Sequence, residues 1–207
     1  MKYKAKILLT AAVMLLSLSA SACSAPLMKL TYTDDRFISK KEGLTYNYTS
    51  LSYEPVSVGD AYASCAEPRL TLYEIPGLDP EKWLTEEYSG AATTVLYSDS
   101  ITLPTLGELD PGKMFVCLTG DRVFSIATVE DEATIDSIIA AFETGEETDW
   151  PLLTPTLTYS LKFLSEKNLP HIYFSLVYGE FPEGSFLYDR AADRCVEVGS
   201  LISDIVA

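Results

Sequence analysis

Histidine is almost missing from this chain, with one in 207 residues, and that scarcity bounds the chemistry first. A Ser-His-Asp or Cys-His mechanism would have to run through His171, with a nucleophile delivered by the fold. Pairing of His171 with Cys117 or Cys195 is the conceivable dyad; an ordinary strand-edge histidine is the expectation. No G-x-S-x-G elbow occurs, and no C-x-x-C or H-E-x-x-H spacing, so a closed zinc site is not expected. Phosphate cradles of the G-x-G-x-x-G or G-K-[ST] type are absent too. The acidic runs "EDE" at 130–132 and "ETGEETD" at 143–149 lack EF-hand order. They read as the first turn of a helix and a solvated loop. No metal and no cofactor are therefore expected.

Positive charge is the second scarcity. Lysine and arginine total 15 against 30 acids, a net charge of −15. Nucleic acid and anionic headgroups both need a positive protein surface, so nucleic-acid binding is excluded. Cysteine is third, with four residues. Three of them, Cys65, Cys117 and Cys195, lie in the body, an odd set that allows one bridge and one free thiol in three pairings.

The fourth cysteine stands in the most informative segment. The chain opens with Lys2, Lys4 and Lys6, followed by the apolar run Ile7–Leu18 and then small residues. That is the three-part pattern of an export signal. A membrane span needs roughly 20 apolar residues, whereas Ser17, Ser19 and Ser21 interrupt this run. Ala20-Ser21-Ala22 suits ordinary signal peptidase. Followed by Cys23, the same residues resemble the lipobox of bacterial lipoproteins, with Ala20 where leucine is usual. The resemblance covers residues 1–23 and implies cleavage before Cys23, whose sulfur carries a diacylglyceryl group. Residues 1–22 are then a signal peptide, and 23–35 a lipidated Cys and tether. The location implied is the extracytoplasmic face of the cell membrane, lipid-anchored; the alternative is a secreted protein. Losing three lysines and no acid takes the net charge from −15 to −18.

The body, residues 36–207, carries enough Leu, Ile, Val, Tyr and Phe to be globular. "RFISKKEGLTYNY" reads as a hairpin turning at Lys41-Glu42-Gly43. "LSYEPVSV" and "RLTLYEI" read as strands, with Cys65 in a loop between them. In "GLDPEKWLTEEY", Asp79 as cap, Pro80 at the first position and Glu81 behind it predict a helix, with Leu84 and Tyr88 on its apolar edge. "ATTVLYS" is a strand, and "KMFVCLTGDRVFSIATV" a hairpin turning at Thr119-Gly120-Asp121. Ile135, Ile138, Ile139 and Phe142 predict a second helix ending at Gly145. After the connector "EETDWPLLTP", strict alternation in "TLTYSLKFL" and "HIYFSLVY", then "GSFLYDR" and "RCVEVG", predicts a four-strand antiparallel meander. The fold class expected is α+β: a mainly antiparallel sheet, two helices and the C-terminal meander, in one domain with sub-units 36–147 and 155–207.

Tyrosine, 13 residues, is the one enrichment. Tyr46, Tyr48, Tyr53, Tyr62 and Tyr178 suit either strand interiors or a surface that contacts sugar or protein. The functional expectation is a membrane-anchored binding or interaction module rather than an enzyme, with a protein or glycan partner. The alternatives are a hydrolase using two carboxylates and an accessory subunit of an envelope complex.

Overall fold

Among the described residues, seven strands curl into a closed barrel, and seven more form an antiparallel sheet attached to its wall. This computed structural model describes residues 26–54, 57–87, 93–119 and 123–206. The expected export signal at residues 1–22, Cys23, Tyr88 and the turn residues Gly120 and Asp121 lie outside the described residues. Among those described, no helix is long and apolar enough to cross a membrane.

The expected α+β class with two helices is overturned. Among the described residues the protein is mostly β, with one helix longer than a single turn. The barrel comprises β1 (Met28–Thr33), β2 (Arg36–Ser39), β3 (Leu44–Tyr53), β4 (Ala61–Cys65), β5 (Leu70–Glu74), β6 (Trp83–Thr85) and β7 (Thr93–Ser98). Pairing runs β1-β2-β3-β7-β6-β5-β4 and returns to β1, the β1–β4 contact being parallel. Asp34 and Asp35, both at positive φ, form the two-residue turn from β1 to β2. Gly43, at φ +67°, closes the expected hairpin from β2 to β3. Leu30, Phe37, Tyr46, Ala63, Cys65, Leu72, Leu84 and Leu96 fill the interior, each strand sending inward at least one residue. A barrel this narrow is packed by side chains rather than open.

The helix predicted from Asp79 is the clearest miss. Its capping signals are satisfied: Asp79 Oδ1 accepts from the Glu81 N–H at 3.0 Å. The Asp79 carbonyl accepts from the Lys82 and Trp83 N–H groups, both at 2.9 Å. One turn forms, and then the chain extends into β6, bonded on both sides. Leu84 fills the barrel while Trp83 points to the opposite side and is also buried. A helix could not place neighbours on opposite faces, and tertiary burial outweighs a propensity of tenths of a kcal/mol per residue. Cys65, expected in a loop, ends β4 and faces the barrel interior.

The second sheet is ordered β9-β8-β11-β12-β13-β14-β10. Its strands are β8 (Lys113–Thr119), β9 (Val123–Val129), β10 (Glu147–Thr148), β11 (Leu157–Leu164), β12 (Ile172–Phe181), β13 (Gly184–Asp189) and β14 (Arg194–Glu197). β11 to β14 are consecutive antiparallel neighbours, so the meander is one part of a wider sheet. Helix α1 (Glu132–Thr144) lays Ile135, Ile138, Ile139 and Phe142 on one face, as its spacing predicts. Asp131 caps it, accepting from the Thr134 N–H at 2.9 Å. Its C-terminal end has no basic residue of its own. Instead Arg194, from β14, donates to the carbonyls of Phe142, Glu143 and Gly145 at 3.2–3.3 Å. A last turn, α2 (Ser203–Val206), follows Ile202, which is fully buried under the sheet.

Barrel and sheet share one core. Tyr53, Ile75, Trp83 and Val95 of the barrel's outer wall join α1 and the inner face of the sheet in a single cluster. The backbone joint is the pairing of Ser52 and Tyr53 in β3 with Tyr173 and Ile172 in β12.

Candidate functional site

Alternation along β11 sends Tyr159, Leu161 and Phe163 into the core and leaves Ser160 and Lys162 on the other face. Lys162 is nevertheless 9% exposed. Its cross-strand neighbours are Phe115 on β8 and Ser175 on β12. Glu54, just past the end of β3, reaches over from the barrel, and its Oε1 accepts a hydrogen bond from Lys162 Nζ. Glu54 is held in place by its own backbone, whose N–H donates to the His171 carbonyl at 3.3 Å. The Tyr173 ring lies 6.0 Å from Lys162 Nζ and meets Phe115 edge-on, centroids 6.0 Å apart.

These groups line a cleft of about 220 Å³, completed by Cys117 and Ser125. The Lys162 ammonium has three donors, and Glu54 is its one hydrogen-bonding side chain among the described residues. Burial pushes the Cys117 thiol up; Lys162 partly opposes that shift. Burial likewise raises the Tyr173 phenol, with the Glu54 charge adding to it. The cleft therefore presents one neutralised ion pair, a neutral thiol, the Ser125 hydroxyl, and two rings, one of them a phenol.

A second, wider cleft of about 530 Å³ lies on the same open face toward the other edge. Trp150, from the connector, sits over Gly179 so closely that an added Cβ would lie 2.7 Å from its ring. It is tilted against Tyr188, with centroids 5.2 Å apart, and edge-on to Phe181. Glu147, Asp149 and Asp193 surround it, all exposed. Two of those carboxylates are engaged: Glu147 pairs with Arg194 at 3.5 Å, and Asp193 accepts from Tyr188 Oη at 2.8 Å.

The residues singled out in the sequence do not assemble. His171 is exposed at positive φ (+65°) in the turn before β12, and it is not among the residues lining the Cys117 cleft. Cys65, Cys117 and Cys195 are all buried free thiols, in the barrel, the sheet's open face and the Trp150 cluster respectively. The "EDE" run supplies the cap of α1, and the 143–149 run carries β10. Of the five tyrosines, Tyr46, Tyr53 and Tyr178 are wholly buried, and only Tyr48 is exposed. The residues that do converge, Glu54, Lys162, Phe115 and Tyr173, left one faint sequence signal: a lone lysine inside an otherwise uncharged strand.

No protein family, curated protein or solved structure matches the chain.

Proposed function

We propose that this chain is an envelope lipoprotein, held by a diacylglyceryl group on Cys23, whose body works outside the cytoplasmic membrane by binding. The leader and the Ala-Ser-Ala-Cys sequence support the anchor. Strand β1 starts at Met28, five positions beyond Cys23, so the tether spans at most about 17 Å when extended. Several acyl chains at about 0.8 kcal/mol per buried methylene hold such a protein stably.

The observation that carries the binding reading is the Lys162–Glu54 pair in one cleft with the Phe115 and Tyr173 rings. Each charge cancels the other, which favours hydrogen bonding over proton transfer. Spare ammonium donors, carboxylate acceptors and ring faces suit an uncharged polar ligand with an apolar side, such as one sugar unit of an envelope glycan. The cleft is smaller than the roughly 300–1,000 Å³ of drug-sized sites, which fits one unit or the end of a chain. The thiol of the cleft, Cys117, is buried and neutral.

The test is a titration of the 15N-labelled protein with N-acetylglucosamine and with soluble glycan fragments of the envelope. Saturable shifts at Phe115, Lys162 and Tyr173 amides, lost in Tyr173→Ala, are the expected result. Shifts confined to other surfaces, or none with any fragment, would overturn the cleft as the binding site.

A further inference from the structure

One cross-strand row joins the two clefts of the open face. Cys117 on β8 pairs with Ser160 on β11, and Ser160 with Val177 on β12. Val177 pairs with Tyr188 on β13, and Tyr188 with Cys195 on β14. Cys117 lines the Lys162 cleft, while Tyr188 and Cys195 line the Trp150 cleft. All five residues belong to the open face, because their strand neighbours Val116, Tyr159, Leu176, Leu187 and Val196 fill the core. Between the clefts the row presents Ser160 and Val177, both half-buried, so solvent reaches the floor that connects them. Neighbouring strands lie about 4.8 Å apart, which puts Tyr188 about 14 Å from Cys117.

That span is longer than a single sugar ring, so a ligand that reaches both clefts is a chain. The direction of the row selects the kind of chain. A polypeptide gains its main-chain bonds at a free strand edge, whereas this row crosses strands already paired with one another. A glycan brings its own hydroxyls together with apolar ring faces. Both ends of the row supply partners for them. Lys162 and Glu54 stand with Phe115 and Tyr173 at one end, and the Asp149 carboxylate stands with Trp150 and Tyr188 at the other. The second cleft, about 530 Å³, has the size of an ordinary ligand site. A net charge of −15 disfavours an acidic chain. We propose that the open face is an extended site for an uncharged linear glycan, whose end sits in the Lys162 cleft and whose chain crosses Ser160 and Val177 to reach Trp150. The proposal rests on the Lys162 cleft being a sugar site. Contacts in the two clefts then belong to one ligand, and affinity grows with chain length until the second cleft is filled.

The test is a titration of the 15N-labelled full chain, exported with Cys23→Ser so that it carries no lipid. The probes are N-acetylglucosamine and its linear oligomers up to about six units. The expected result is an affinity at least about tenfold higher for the long oligomers than for the single sugar. Lys162 and Tyr173 amides shift with both, and the Trp150 and Tyr188 signals with the long oligomers alone. Trp150→Ala removes the gain with length. Ser160→Trp does the same by blocking the floor at a half-buried position, away from the rings of the second cleft. Shifts at Lys162 and Tyr173 with the single sugar report that each variant is folded. Leu153→Lys, on the exposed connector, keeps the gain. Equal affinity for one unit and for the long oligomers, with shifts confined to the Lys162 cleft, would overturn the extended site and leave the cleft itself standing. A gain that survives both Trp150→Ala and Ser160→Trp would overturn it as well. No shift at Lys162 or Tyr173 with any oligomer would overturn the sugar site and its extension together.

Discussion

Glu54 and Lys162 are 108 positions apart in the chain and meet in one ion pair at the seam of barrel and sheet. Glu54 directly follows the barrel's longest strand and Lys162 belongs to the middle of the second sheet, so the pair pins one unit to the other. Breaking a buried pair leaves one charge uncompensated, at about 3–5 kcal/mol when burial is complete. The Glu54 side chain is 25% exposed, which places Lys162→Met and Glu54→Gln nearer about 2 kcal/mol. The double replacement should cost less than the two single ones added together. Urea unfolding of all four proteins gives the cycle, and strict additivity would show that the pair is not coupled.

Strand β6 makes an equally direct prediction. Leu84 is wholly buried inside the barrel. On the helix that Asp79 and Pro80 suggest, Leu84→Ala would raise local helix propensity and cost little. In the barrel it empties a packed interior and should cost about 3 kcal/mol. Thermal or urea melts separate the two.

The contrast shows where the sequence was readable. Periodicity located α1, the β2–β3 hairpin and the strands of the meander, because each is settled by residues close in sequence. Residues 79–85 carry helix-start chemistry and use it for one turn; barrel closure, which decides the rest, depends on β5 and β7. Lys162 was legible as a residue of the non-core face. Its burial was not, because Glu54, Phe115 and Tyr173 come from three other segments that only the fold unites.

The helix ends offer a third test. Arg194→Ala removes a guanidinium that serves three carbonyls of the α1 terminus, and should cost about 2 kcal/mol. At the other end, hydrogen bonds from Thr134 hold the Asp131 carboxyl below its usual range. A folded-state pKa lowered in this way adds stability above the unfolded value and loses it as the pH falls through the folded one. Asp131→Asn should therefore flatten the acid limb of the stability curve below about pH 4 and leave the neutral region little changed.

The three body thiols should be silent toward a thiol reagent in the native protein and count as three once it is unfolded. Burial, with Asp149 adding to it, pushes Cys195 up to about 11 from a usual 9.0. Between those values the folded state holds the proton that the unfolded chain has released. Stability from this group is thus full below about pH 9 and declines toward pH 11. Cys195→Ala should reduce that alkaline slope; an unchanged slope would assign it to the buried tyrosines.

The intact mass of the mature protein from its native host tests the central claim most directly. The account predicts a chain that starts at Cys23 and carries a diacylglyceryl-sized increment, recovered with the membrane fraction. An unmodified chain starting at Cys23 and found in the medium would contradict it, and the leader would then be an ordinary export signal.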